Sequence, residues 1–311
     1  MLLPITLFVC LGTILPLQKC IAHSGIADSM GLSGWKKDFI TAEYLLFFYN
    51  GQQRKKEKKP MNIKNMDIVR EYGRPPFRAI VLHGGPGAPG CAAGLCRGAA
   101  ERGIPVLEHL QTADTFVGLM EEILSIMKRY SMEQTILIGH SFGSWLAWCF
   151  AEKYPSMVQK IILAGGGPLE AKYLQDIIRT RNERKSQGIE DTDNYCALPG
   201  TSEDMLFFNK EQYEALMAEA FALRESGDLL KRALRVQCPV TLIQGDYDPH
   251  PAEGVYAPLA GRLPQFSYYV LEKCGHDPWK EKYARKRFLD LLETEVNFLI
   301  KPAELRTSRL L

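Results

Sequence analysis

No apolar stretch in this sequence reaches the roughly 20 residues that a membrane-spanning helix requires. The longest, residues 2–17 (LLPITLFVCLGTILPL), is interrupted by Pro4 and Pro16, so no integral membrane segment is expected. Its length suits the apolar region of a secretory signal, and Cys20-Ile21-Ala22 has the form of a cleavage site, but no Lys or Arg precedes it. A cytoplasmic location is therefore expected, with export as the outcome if residues 1–22 are a genuine signal. A surplus of one charge is also missing. The net charge is +2, with +4 in residues 1–60 and −2 in the remainder, which excludes a broad nucleic-acid surface on the main body.

The eight cysteines are irregularly spaced, and only Cys91 and Cys96 lie close together beyond residue 60. Without a second pair or a clustered histidine they do not form a zinc signature, and packed, reduced thiols are expected. No G-K-[ST] occurs in the Gly-rich stretch after residue 83, so a phosphate-binding role is not expected there. No cofactor and no metal are implied.

With 46% hydrophobic and 24% charged residues, the 311-residue chain has the composition of a folded globular protein. Residues 1–60 end in the charge run Arg54–Lys59 (RKKEKK) and read as an extension that the fold does not need, either a signal or an upstream continuation of the reading frame. From residue 78 short apolar runs alternate with amphipathic segments, the pattern of an α/β protein with a mostly parallel sheet. Strands are predicted in RAIVLHG (78–84), PVLEHL (105–110), TILIGHS (135–141), KIILAGGGP (160–168), PVTLIQG (239–245) and SYYVLEKCGH (267–276). Residues 112–131 place Phe116, Leu119, Met120, Ile123, Ile126 and Met127 on one helical stripe. The final helix carries Phe288, Leu289, Leu292, Val296 and Leu299. Between 169 and 235 the alternation stops and polar helical sequence follows, which predicts a small helical cap between core segments 61–168 and 236–311.

The strongest chemical signal is Gly139-His140-Ser141-Phe142-Gly143, a G-x-S-x-G with a buried-type strand before it and a helix after it. A sharp strand-to-helix turn strains the serine backbone and lifts its hydroxyl out at the carboxyl end of the sheet, next to a helix N-terminus. A serine hydroxyl needs a histidine to take its proton and a carboxylate to orient that histidine. On such an elbow the acid and then the histidine follow the serine in the chain, leaving His250 and His276. His250 stands two residues from the best acid, too close to face it across a site, so His276, in the loop after the last strand, is assigned as the base. In Gly245-Asp246-Tyr247-Asp248, Asp248 is assigned as the acid and Asp246 as a turn residue. The main-chain N–H groups of Gly84 and Phe142 are assigned as the oxyanion hole, glycine allowing close approach.

With these elements in order, the chain resembles the α/β-hydrolase superfamily, and within it the proline iminopeptidase-like branch, whose oxyanion-loop motif HGGPG stands at 83–87. The resemblance runs over roughly residues 65–300. It implies a mostly parallel central sheet flanked by helices, a helical cap, no metal or organic cofactor, and hydrolysis of a small ester or short peptide through an acyl-enzyme. Aminopeptidases of that branch hold the free N-terminus of a proline-first peptide with cap carboxylates, for which Glu203, Asp204, Glu211, Glu214, Glu219 and Glu225 are the candidates. The chain departs from the branch at Phe142, where a tryptophan is usual, in the short segment before the oxyanion loop, and in its small cap. A carboxylesterase and a non-catalytic binding protein of the same fold are the alternatives.

Overall fold

The computed structural model describes residues 67–199 and 204–298. The expected extension 1–60, Glu203 and Leu299 lie outside the described residues.

The strands are β1 (Val69–Tyr72), β2 (Ala79–Leu82), β3 (Val106–His109), β4 (Thr135–Ser141), β5 (Val158–Gly166), β6 (Val240–Gly245) and β7 (Phe266–Leu271). They form one sheet in the order β1-β3-β2-β4-β5-β6-β7. Among these seven described strands only β1 and β3 pair antiparallel. The central strands β2 to β6 are short and buried on both faces, as strands covered from both sides must be, while the edge strands β1 and β7 are partly exposed. The first strand was not separable from sequence, because four half-exposed residues give no usable period.

Between strands lie α1 (Ala93–Glu101), α2 (Phe116–Arg129) and α3 (Phe142–Lys153). Thr115 caps α2 by accepting from the Gly118 N–H at 3.1 Å, and Lys128 and Arg129 occupy its last turn, both favourable ends for a helix dipole. Its buried residues are the six of the predicted stripe. In α3, Phe142 to Ala151 are all buried. A helix apolar all round must be enclosed, and α3 is covered by the sheet, α2 and the later helix Asp228–Ala233.

The sheet divides two apolar cores. Ile80 and Leu82 of β2 face one with Leu119, Ile123, Trp148 and Phe150. Ala79 and Val81 face the other with Leu95, Phe288 and Leu292. That second core is closed by α1 and by the last helix, α8 (Arg285–Asn297).

The helical insertion sits between β5 and β6. It holds α4 (Leu174–Ser186), α5 (Lys210–Glu225) and α6 (Asp228–Ala233); α7 (Glu253–Tyr256) follows β6. The last helix of the insertion is not merely a cover. Leu229 and Ala233 of α6 join the core that contains Leu146 and Phe150, and Arg232 bonds Glu152 of α3 at 2.8 Å. Among the described residues no helix is long and apolar enough to cross a membrane.

Candidate active site

The carboxyl ends of β2, β4, β5 and β6 converge on Ser141. Its backbone has φ 51° and ψ −116°, a conformation that costs an L-residue of order 1–3 kcal/mol and persists only where the surroundings fix it. They do. Ser144 Oγ donates to the Ser141 carbonyl at 2.5 Å and accepts from the Gly167 N–H at 3.1 Å. Trp145 Nε1 donates to the Gly167 carbonyl. A Cβ on Gly143 would stand 2.1 Å from the Leu82 carbonyl oxygen, so only glycine lets α3 start this close to β2. Ser141 itself stays half-buried while its neighbours along α3 are buried.

Asp248 and His276 are joined: His276 Nδ1–H donates to Asp248 Oδ2 at 2.8 Å, and both side chains are buried. An ionised carboxylate only accepts, which fixes the proton on Nδ1 and leaves Nε2 with a lone pair. Burial alone would lower the His276 pKa, but Asp248, with Asp277 and Asp193 beyond it, raises it. Burial pushes Asp248 the other way, yet His276 and His250 hold its pKa well below the ordinary carboxylate value. No hydrogen bond joins Ser141 Oγ to His276 among the described residues. The elbow is tied to the histidine loop by the residue before the serine: His140 Nε2 lies 3.2 Å from the His276 carbonyl, and the two rings are 4.8 Å apart.

His250 enters the site despite its spacing. Asp248 Oδ1 accepts from the His250 main-chain N–H at 2.8 Å and from its Nδ1–H at 2.9 Å. A two-residue turn thus folds the histidine back onto the acid, where its ring stacks on His276 at 4.1 Å and 25°. Asp246, by contrast, accepts from the Cys274 N–H at 3.2 Å and ties the acid loop to the histidine loop. Burial and the charge on His276 lower the His250 pKa to about 4; burial likewise brings His140 to about 3. Asp248, His250 and His276 offer three potential metal-ligating atoms within 4.8 Å of one another. Both Asp248 oxygens are already engaged by the Nδ1–H groups of these two rings.

Gly84 packs directly on the elbow. A Cβ there would be 2.7 Å from Ser141 Cβ and 2.6 Å from His140 Nδ1. Among the described residues the main-chain N–H groups of Gly84 and Phe142 donate to no protein acceptor, and Phe142 is buried edge-on to Phe116 at 5.2 Å. The Gly84 carbonyl is held from behind by His83 Nδ1 at 2.9 Å and Cys91 Sγ at 3.0 Å.

Comparisons with known proteins agree with this fold. Residues 108–201 match the family described as alpha/beta hydrolase fold. Protein ABHD8 of Homo sapiens is 39% identical over 70 residues, which are 22% of this chain and 16% of that protein. The chain thus matches only about a sixth of the length of those relatives. The 2-hydroxy-6-oxononadienedioate/2-hydroxy-6-oxononatrienedioate hydrolase of Paraburkholderia phymatum is 25% identical over 185 residues, 54% of this chain and 64% of that one. The crystal structure of VinJ superposes with a TM-score of 0.56 at 18% identity, over 74% of this chain and 94% of the other.

This is an α/β-hydrolase fold.

Within that fold the insertion is wired to both halves of the site. The Asp193 carbonyl accepts from the His276 N–H at 2.9 Å, and Arg181 of α4 grips the Asp193 carboxylate with two bonds of 2.7 and 2.9 Å. Asn194 exchanges hydrogen bonds with Asp277, and Glu281 accepts from the Tyr195, Cys196 and Gly275 N–H groups. On the other side Asn209 N donates to the Gly87 carbonyl at 2.7 Å and Leu206 N to that of Pro89 at 2.9 Å. The run Gly85–Gly90 (GPGAPG) has the glycine spacing of a dinucleotide-binding turn. Its backbone is filled by the insertion instead: a Cβ at Gly87 or Gly90 would meet the Asn209 or Asp204 carbonyl oxygen at 2.2 or 2.1 Å. None of these ties is legible in a sequence, because each joins residues from separate elements. A separate groove of about 370 Å³, lined by Gln134, Pro155, Val158, Gln237 and Cys238, lies at the amino ends of β4 to β6, away from Ser141.

Proposed function

We propose that this chain is a serine hydrolase that cleaves an ester or amide through an acyl-enzyme. The observation that carries the reading is the 2.8 Å bond from His276 Nδ1 to Asp248 beside a serine held at the strained elbow. Ser141 Oγ attacks the substrate carbonyl while His276 Nε2 takes its proton; Asp248 holds the imidazole in the required tautomer and stabilises the imidazolium. The negative charge that develops on the carbonyl oxygen falls to the N–H groups of Gly84 and Phe142, which have no competing acceptor among the described residues. His276 then gives its proton to the leaving group, and water repeats the sequence on the acyl-enzyme.

Within this class an acyl ester fits better than a proline-first peptide. The peptidase reading rests on HGGPG at 83–87 and needs a cap carboxylate for the substrate amine. Asp204 is taken by Arg97 in bonds of 2.8 and 2.7 Å. Glu219 accepts from the Phe116 N–H, Glu214 pairs with Lys210, and Glu211 and Glu225 are exposed. A buried, unpaired amine receptor is thus missing among the described residues of α5.

A fluorophosphonate probe tests the mechanism. Covalent labelling of the full chain at neutral pH, absent in Ser141→Ala, is expected. An unlabelled native protein would return the fold to a binding role. Turnover of short-chain p-nitrophenyl esters against proline-aminoacyl amides then separates esterase from peptidase.

A further inference from the structure

His250 belongs to no part of the mechanism above, yet it is buried against both of its ionisable members. Asp248 is bonded at four points, two on each oxygen. Oδ2 accepts from His276 Nδ1–H and from Gln244 Nε2 at 2.6 Å. Oδ1 accepts twice from His250, through the main-chain N–H and through Nδ1–H. Gln244 is fixed in turn by the Gly166 N–H at 2.7 Å and by donating to the His250 carbonyl at 3.0 Å. The carboxylate therefore cannot rotate without breaking a bond to one of the two histidines.

We propose that His250 is a positioning residue for the Asp248–His276 pair, holding one carboxylate oxygen with a neutral imidazole N–H so that the other oxygen serves His276. The proposal rests on the serine-hydrolase reading for its purpose, but its physical content concerns only the ionisation of His276. A donor on Oδ1 draws off part of the negative charge that Asp248 presents to His276. Without it the carboxylate is a stronger acceptor, the imidazolium of His276 is favoured, and the base is freed only at higher pH. The ring stack at 4.1 Å adds a second, purely geometric restraint on the His276 plane.

The charged and titratable groups around the pair are consistent with a neutral His250. Around His276 stand Asp248 and His250 from the loop after β6, His140 from β4, Asp277 and Lys280 from its own loop, and Asp193 from the insertion. Around His250 stand Asp248, His276 and the Arg181 guanidinium. With a cation on one side and a protonatable ring on the other, His250 gains nothing from a second proton, and it remains an N–H donor wherever His276 titrates.

The test is an NMR titration of the histidine imidazoles in the full chain. In His250→Ala the His276 midpoint is expected to rise by about half a pH unit or more, the size that loss of one donor to its partner carboxylate produces. His250→Asn can place an amide N–H where Nδ1 stands, and it should return the midpoint toward the native value although the stacked ring is gone. The acid limb of kcat/KM on an ester should move in parallel. If His250→Ala does not fold, His250→Phe keeps a flat ring over His276 without the donor and should give the same rise. An unchanged midpoint in the donorless variant, or an Asn variant that titrates like Ala, overturns the proposal. The imidazole titration does not depend on turnover, so failed fluorophosphonate labelling would sink the hydrolase reading and leave this result standing.

Discussion

Substituting Gly143 by alanine probes how closely the elbow is packed. The added Cβ would lie 2.1 Å from the Leu82 carbonyl oxygen, 2.6 Å from its carbon and 2.8 Å from the His83 oxygen, where real Cβ contacts are essentially never under 3.0 Å. These are backbone atoms at the end of β2, so no side chain can swing aside. Either α3 or the 83–87 loop must retreat by about 1 Å. Overpacking of this kind costs about 1–3 kcal/mol, which for a domain of this size lowers Tm by roughly 2–12 °C. The larger effect is expected on turnover. The same retreat separates the Phe142 N–H from the Gly84 N–H, the two proposed oxyanion donors, and losing one such donor costs about 2.7–4 kcal/mol, or roughly 100- to 1,000-fold in kcat. Steady-state kinetics on a p-nitrophenyl ester, with a thermal melt of the same sample, separates the two losses. Gly103→Ala is the control: its φ is +70° but nothing lies within 4 Å of the new Cβ, so it should lose about 1 kcal/mol of stability and keep its turnover. Native turnover in Gly143→Ala would refute both the packing estimate and the placement of the oxyanion hole.

Two further predictions concern stability. Glu108 is fully buried, and burial raises its pKa to about 7 from 4.5, against the hydrogen bond from Tyr72 and the charge of Arg70. As pH rises from about 4.5 to 7 the unfolded chain ionises this group and the folded chain does not, so the native protein should lose up to about 3 kcal/mol over that window. Glu108→Gln should remove this slope from a plot of Tm against pH, and an unaltered slope would contradict it. Lys160 is buried with its Nζ 2.5 Å from Glu295, which Thr241 and Tyr269 also bond. Lys160→Met strands that carboxylate and should cost about 3–5 kcal/mol in urea unfolding, while adding Glu295→Leu should recover most of it; equal losses in the single and double variants would show that the pair is not what matters.

What the sequence made legible was periodic or local. The six-residue stripe of α2 is visible because a half-buried helix repeats its apolar residues every three or four positions, and the elbow is visible because strand, turn and helix are contiguous. The sheet was readable to the extent that its central strands are buried on both faces and so carry mostly apolar runs. β1 escaped because it is short, half-exposed and paired only at one edge. His250 was set aside on spacing, although a turn of two residues can reverse the direction of a side chain. Arg181, Asp193, Asn194 and Glu281 gave no signal at all, since their partners lie in other elements and their residue types are ordinary on any surface.

The ties from the insertion to Asp193 and Asn209 bear on how this protein can be altered. In many architectures a covering segment and the reacting groups beneath it can be exchanged separately. Here the main chain of one stretch, 193–196, holds the histidine loop, and the main chain of another, 206–209, holds the glycine loop. Replacing the whole insertion by that of a relative would therefore remove scaffolding along with selectivity. A chimera that keeps 193–196 and 206–209 respects the division of labour the backbone imposes.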